Sequence, residues 1–182
     1  MAPAFSPAAM DADSCTFRTR PPRKAAPRAD SSGMTLLDPR LPPSRALVCD
    51  GDLTEVLTLL LRKASLRQLW LVMLDADSRV AGPLMALANY PRDPLAPAGA
   101  PDMPRASHAT VLAARMADIV EIVGASRVVL VWERPGDRPI GTEEHAWARE
   151  LRNECRDRDI SVRAQFVLHD GGLRQLTPDD FS

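Results

Sequence analysis

The sequence predicts an α/β domain, with a mixed β-sheet of about five to six strands and three main helices packed on it. Three observations carry that expectation. The runs Leu69–Leu74 and Val128–Trp132 are continuously apolar, as in strands covered on both faces. Between and around them lie segments with apolar residues at helical spacing. The order of these segments is β–α–β–β–α–β–α–β–β, which is not the uniform alternation of a doubly wound sheet.

The ordered domain is expected to span 44–177. Ala46–Cys49 reads as a short edge strand. Asp52 then has the place of a helix N-cap, with Glu55 at capping-box spacing. Leu53, Val56, Leu57, Leu60 and Ala64 share one face of the helix that follows, and Leu59 and Leu61 widen it. Leu69–Leu74 is the first long strand. Asp75–Ser78 is a turn of residues that bond their own backbone. Val80–Ala88 returns antiparallel, and Pro83 marks it as an edge or bulged strand.

Tyr90–Ala106 contains five prolines and reads as a mobile, extended loop. Ser107 or Thr110 opens the next helix, which runs to Val123 with Leu112, Met116, Ile119 and Val120 on its inner face, and Gly124 caps it. Val128–Trp132 is the central strand. Thr142 is the expected cap of the third helix, whose first turn holds Glu143 and Glu144 and whose inner face holds Trp147, Leu151 and Cys155. Ile160–Leu168 alternates, with Ser161, Arg163 and Gln165 on a wet face. His169–Gly172 turns into a last short strand, Leu173–Leu176, and the tail 178–182 is expected to fray.

Residues 1–43 hold eight of the 17 prolines and no sustained apolar period, so they read as a disordered tail. Met34 is an alternative start that would remove most of it. The tail carries a charge of +2 and the remainder −3, which makes nucleic acid an unlikely partner for the domain. The chain has 21 arginines and two lysines, a bias that fits a GC-rich coding genome. No apolar run is long enough to span a membrane. Cys15, Cys49 and Cys155 are few and widely spaced, as in a reduced, cytoplasmic protein.

The stretch that should hold chemistry is Arg127–Arg152, a strand, a Pro/Gly-rich turn and a helix, because ligands gather at the carboxyl end of such strands. The candidate ligand or partner surface there is Trp132, Glu133, Arg134, Asp137, Arg138, Thr142 and His145. No two of Cys49, Cys155, His108, His145 and His169 have a metal-ligand spacing, so no metal or cofactor is expected. Pro135–Gly141 and Asp170–Gly172 match no phosphate-binding pattern. Glu143 and Glu144 would also repel an anion from the helix start.

Trp70–Tyr90 (WLVMLDADSRVAGPLMALANY), with the strand–turn–helix after it, resembles the JAB/MPN fold, closest to RadC-type domains. The resemblance covers roughly residues 52–176, mostly as pattern, with matches at Asp75, Pro135 and Pro139–Thr142. In that family the central strand runs into H-x-H-P-x-G-x-x-x-P-S-x-x-D. Here the two histidine positions fall on Trp132 and Arg134, the zinc-binding aspartate on or near His145, and the serine near Thr142. The family's upstream glutamate falls near Arg67. Arginine stays protonated and cannot bind zinc. The resemblance therefore implies a degenerate, metal-free member acting as an interaction or scaffold domain, through an unidentified protein partner or self-association. The strands are also similar to LDADGR and VVLVxERPG segments of small uncharacterised proteins from GC-rich bacteria. Two other readings stay open: a small-molecule or nucleotide-binding domain using the Glu133–Thr142 turn, and a hydrolase built on Asp137, His145 and His169.

Overall fold

A computed structural model describes residues 45–136 and 139–181. Residues 1–44, which include the expected tail 1–43, and Asp137, Arg138 and Ser182 lie outside the described residues. The elements are α1 (Asp50–Leu61), β1 (Gln68–Leu74), β2 (Val80–Ala88), α2 (His108–Val123), β3 (Arg127–Glu133), α3 (Thr142–Arg156), β4 (Val162–His169) and β5 (Gly172–Gln175). The sheet order is β2-β1-β3-β4-β5. β3 and β4 run parallel, joined through α3, and the other neighbours are antiparallel. This is the mixed α/β sheet with three helices that the apolar pattern predicts.

Side-chain alternation sorts the strands onto two cores. Leu69, Leu71, Met73, Val128, Leu130, Trp132 and Val167 face α2 and α3, where Ala113, Met116, Trp147, Leu151 and Cys155 meet them. Val72, Leu74, Val129, Val131, Ala164, Phe166 and Leu168 face α1 through Leu53, Leu57 and Leu61. The central strands are thus covered on both faces, which is why they carry uninterrupted apolar runs.

Several local expectations give way to the structure. Ala46–Cys49 forms no strand; Leu47 is buried and donates its N–H to the Ser78 carbonyl at 2.7 Å. The α1 N-cap is Cys49, and Asp52 is the third helical residue, whose carboxylate accepts from the Cys49 N–H at 3.2 Å. The capping box lies three residues earlier than the Asp52–Glu55 spacing suggests, because the Cys49 thiol takes the place usually held by a hydroxyl. Gly141, rather than Thr142, is the α3 N-cap. Gln165 is buried, so the β4 alternation does not mark a wet face along its whole length.

The proline-rich loop is cross-linked rather than extended. His108 and Ala109 donate their N–H groups to Ala96 and Pro94, and Ala98 donates to Ala106. Arg115 on α2 pairs with Asp102. Residues 178–181 form a 3-10 turn, and Arg174 pairs with Asp180 at 2.7 Å.

β2 carries the irregularity that Pro83 forecasts. Leu71 pairs with Met85 and Met73 with Ala81, so three residues of β2 oppose Val72. Gly82 takes φ 70 there, and a Cβ would lie 2.8 Å from Val123 of α2.

Candidate functional site

The carboxyl end of β3 delivers Trp132 to one face of the sheet and Glu133 to the other. Trp132 is fully buried. Its indole N–H donates to Gln165 Oε1 at 2.9 Å, and the Gln165 amide donates to the Ala148 carbonyl at 2.8 Å. This relay ties β3 to β4 and β4 to α3 inside the core. Trp132 also lies edge-on to Tyr90 at 5.4 Å between centroids, and Trp147 lies edge-on to Tyr90 at 5.6 Å. The Trp147 N–H donates to the Pro91 carbonyl at 2.7 Å. Such aromatic pairs add about 0.5–1.5 kcal/mol each beyond the area they bury.

Glu133 is 2% exposed, yet its carboxylate is fully employed. One oxygen accepts from the Ser65 N–H, the Ser65 hydroxyl at 3.1 Å and the Leu66 N–H at 3.0 Å. The other accepts from Gln68 Nε2 and Trp70 Nε1, both at 2.6 Å. Gln68 stands directly opposite Glu133 in the β1–β3 register, which places the two side chains on one face. Burial alone would raise the carboxyl pKa. The bonds from Ser65, Gln68, Trp70 and Leu66 outweigh it and hold the group below its usual range. Glu133 therefore locks the α1–β1 connection onto the central strand as a carboxylate, with its lone pairs already taken.

Arg134 leaves the sheet. Its N–H donates to the Leu168 carbonyl at 3.0 Å, and its guanidinium faces Glu144 at 3.8 Å. Glu144 in turn accepts the Gly141 N–H at 2.8 Å, at the start of α3. A carboxylate of the chain's own thus sits where the helix dipole would favour a bound anion. Beside it, Glu143 lies 3.6 Å from Arg67 and 3.4 Å from Arg92. The Arg67 guanidinium stacks 3.8 Å from the Tyr90 ring centroid and donates to the Tyr90 carbonyl.

Of the sequence-predicted site, the structure brings Trp132, Glu133 and Arg134 to one end of β3 but turns the first two inward, so they present no surface. Thr142 is exposed at the first turn of α3. His145 Nδ1 donates to the Asp180 carbonyl at 2.5 Å. His169 Nδ1 accepts from the Gly171 N–H at 3.0 Å. Each ring thus has one nitrogen committed to a backbone group near its own element. Among the described residues no three His, Cys, Asp or Glu side chains converge to hold a metal. The Cys155 thiol is buried, and burial pushes its pKa up to about 12, away from nucleophile chemistry.

Sequence reasoning missed Tyr90, Gln165, Gln68, Ser65 and Arg67. Only Gln68 carried a signal, as an amide leading into an apolar strand. The Tyr90 hydroxyl is buried with no hydrogen-bond partner among the described residues, and burial raises its pKa to about 12. No protein-family model matches the chain, and no curated protein matches it in sequence.

Proposed function

We propose that the chain is a non-catalytic α/β interaction domain, JAB/MPN-like in outline, which binds no metal at the β3–α3 end and works through a protein partner or self-association. The observation that carries this reading is the commitment of the β3 end to the fold. Trp132, Glu133 and Trp147 each have their polar atoms bound to named groups of the same chain. Trp132 and Arg134 stand where the resemblance would place zinc-binding histidines. One is in the core and the other faces Glu144. For the nucleotide-binding alternative, the Glu144 carboxylate already occupies the place a phosphate would take at the start of α3. Among the described residues β2 is an edge strand, and Met85–Ala88, beyond its bulge, offers an uncharged stretch for pairing, which supports an interaction role.

Native-level affinity purification with metal analysis tests the reading. The expected result is substoichiometric zinc and a protein, or a second copy of the chain, retained in reciprocal purification. One zinc per chain together with peptidase or isopeptidase turnover would overturn it.

A further inference from the structure

Among the described residues the sheet ends at β2 on backbone groups that no strand receives. The Asn89 N–H donates to the Arg67 carbonyl at 2.9 Å, and the register carries that bonded pairing on through Leu87–Leu69 and Met85–Leu71. Antiparallel alternation then turns the N–H and C=O groups of Leu84, Ala86 and Ala88 away from β1.

The apolar cover also stops short of this edge. On the α1 face, Trp70, Leu84 and Ala86 are only partly buried. On the α2 face, Met85 is partly buried and Leu87 is 41% exposed. Leu112, Ile119 and Val123, at spacings of seven and four, share one flank of α2 and are likewise partly buried. That flank lies over β2, because Val123 stands 2.8 Å from the place a Cβ on Gly82 would take. No Asp, Glu, Lys or Arg occurs between Arg79 and Arg92, so no charge blunts the edge.

We infer that β2 pairs with β2 of a second copy of the chain, antiparallel across a two-fold axis at Ala86. The axis sets Ala86 opposite itself and Leu84 opposite Ala88, so the three outward residues exchange all their N–H and C=O groups. Met85 then meets Leu87 of the second copy on the α2 face. The axis stands perpendicular to the sheet and turns the apolar flanks of the two α2 helices toward each other. Those flanks matter, because a stable interface buries about 800 Å² on each partner, more than a short strand supplies alone. Charge selects the occupant. Self-pairing sets a strand against its own sequence, where any charge would meet a like charge, and β2 has none from end to end. The bulge at Gly82 and Pro83 limits the ladder to Leu84–Ala88. The inference rests on the interaction-domain reading and names its partner.

The test is sedimentation of the purified full chain over a range of concentrations, with native-state amide exchange on the same samples. The expected result is a reversible dimer in which the Leu84, Ala86 and Ala88 amides exchange more slowly as concentration rises. Ala86→Lys and Ala86→Glu each set like charges face to face across the axis, and should weaken the dimer about tenfold or more. Mixed, the two variants should form a heterodimer, which a mere loss of folding would not allow. Leu59→Lys, on the exposed side of α1, should leave the dimer unchanged. A chain that stays monomeric up to its solubility limit overturns the inference. So does a dimer with those amides unprotected, or one that both Ala86 variants keep at full strength. Failure of the folded variants to pair when mixed overturns it as well. Protection of the three amides in a monomer also overturns it, because the edge is then covered within the chain. If a monomeric chain still retains a different protein in reciprocal purification, the self-pairing inference falls while the interaction-domain reading stands. Stoichiometric zinc with turnover would remove the reading itself.

Discussion

The two ends of α3 differ in how deeply their polar residues are built into the fold. At its start, Glu144, Trp147 and their neighbours bond back into the fold, and the charged groups around Tyr90 face one another across short gaps. At its end, Arg149, Arg152 and Arg156 rim a groove beside an incomplete strand pairing. The start is where an α/β enzyme would place its chemistry; here its donors and acceptors are spent on stability. The end resembles ordinary helix surface in sequence, yet it is where the chain keeps charge at the rim of a cavity. Location in a fold class is therefore a weaker guide to function than the bonds that the polar atoms there already make.

Breaking the sealed end should have the largest effects. Trp132→Ala removes the centre of the aromatic cluster and strands Gln165, and should cost about 3–5 kcal/mol in chemical denaturation. Glu133→Gln puts an amide NH₂ against donors and should cost about 3 kcal/mol. The same variant sharpens the electrostatic argument. The folded-state pKa of Glu133 is depressed, so its contribution is full above the ordinary glutamate range and is lost as pH falls through the lower folded value. The wild type should therefore lose stability on acidification more steeply than Glu133→Gln.

Smaller effects separate packing from polarity. Tyr90→Phe deletes a buried hydroxyl that has no hydrogen-bond partner among the described residues, and should leave thermal stability unchanged or raise it by up to about 1 kcal/mol. A clear loss would mean that the hydroxyl has work at this end. At the far end of α3, Arg156→Glu should alter stability by only about 0.5 kcal/mol, because its side chain is 74% exposed. A large loss of stability would place that arginine with the sealed set.

The sequence made the framework legible because burial on two faces demands long apolar runs, as in QLWLVML and RVVLVWE. Gly124, in the left-handed conformation at φ 69, and Ser107, which accepts the Thr110 N–H, were readable from local chemistry alone. The α1 cap was not, because a cysteine does a hydroxyl's work there. The site was less legible than the fold. Trp132, Glu133 and Arg134 could be found as neighbours in the chain, but their partners lie far away: Gln68 is 65 residues from Glu133, and Gln165 is 33 from Trp132. Nothing local tells an occupied carboxylate from one awaiting a ligand. The arginine face of α3 was hidden for a related reason, since Glu150 and Asp157 offset Arg149 and Arg156 in any sequence window.

Native-state hydrogen exchange of the Trp132 and Trp147 indole N–H groups tests the sealed β3–α3 end most directly. Both are buried and bonded to Gln165 Oε1 and the Pro91 carbonyl. If this end is structural core, both protons exchange only through global unfolding, with the free energy found by denaturation. Exchange of either through a low-energy local opening would contradict that, and would reveal a pocket that opens where the domain is held to be closed.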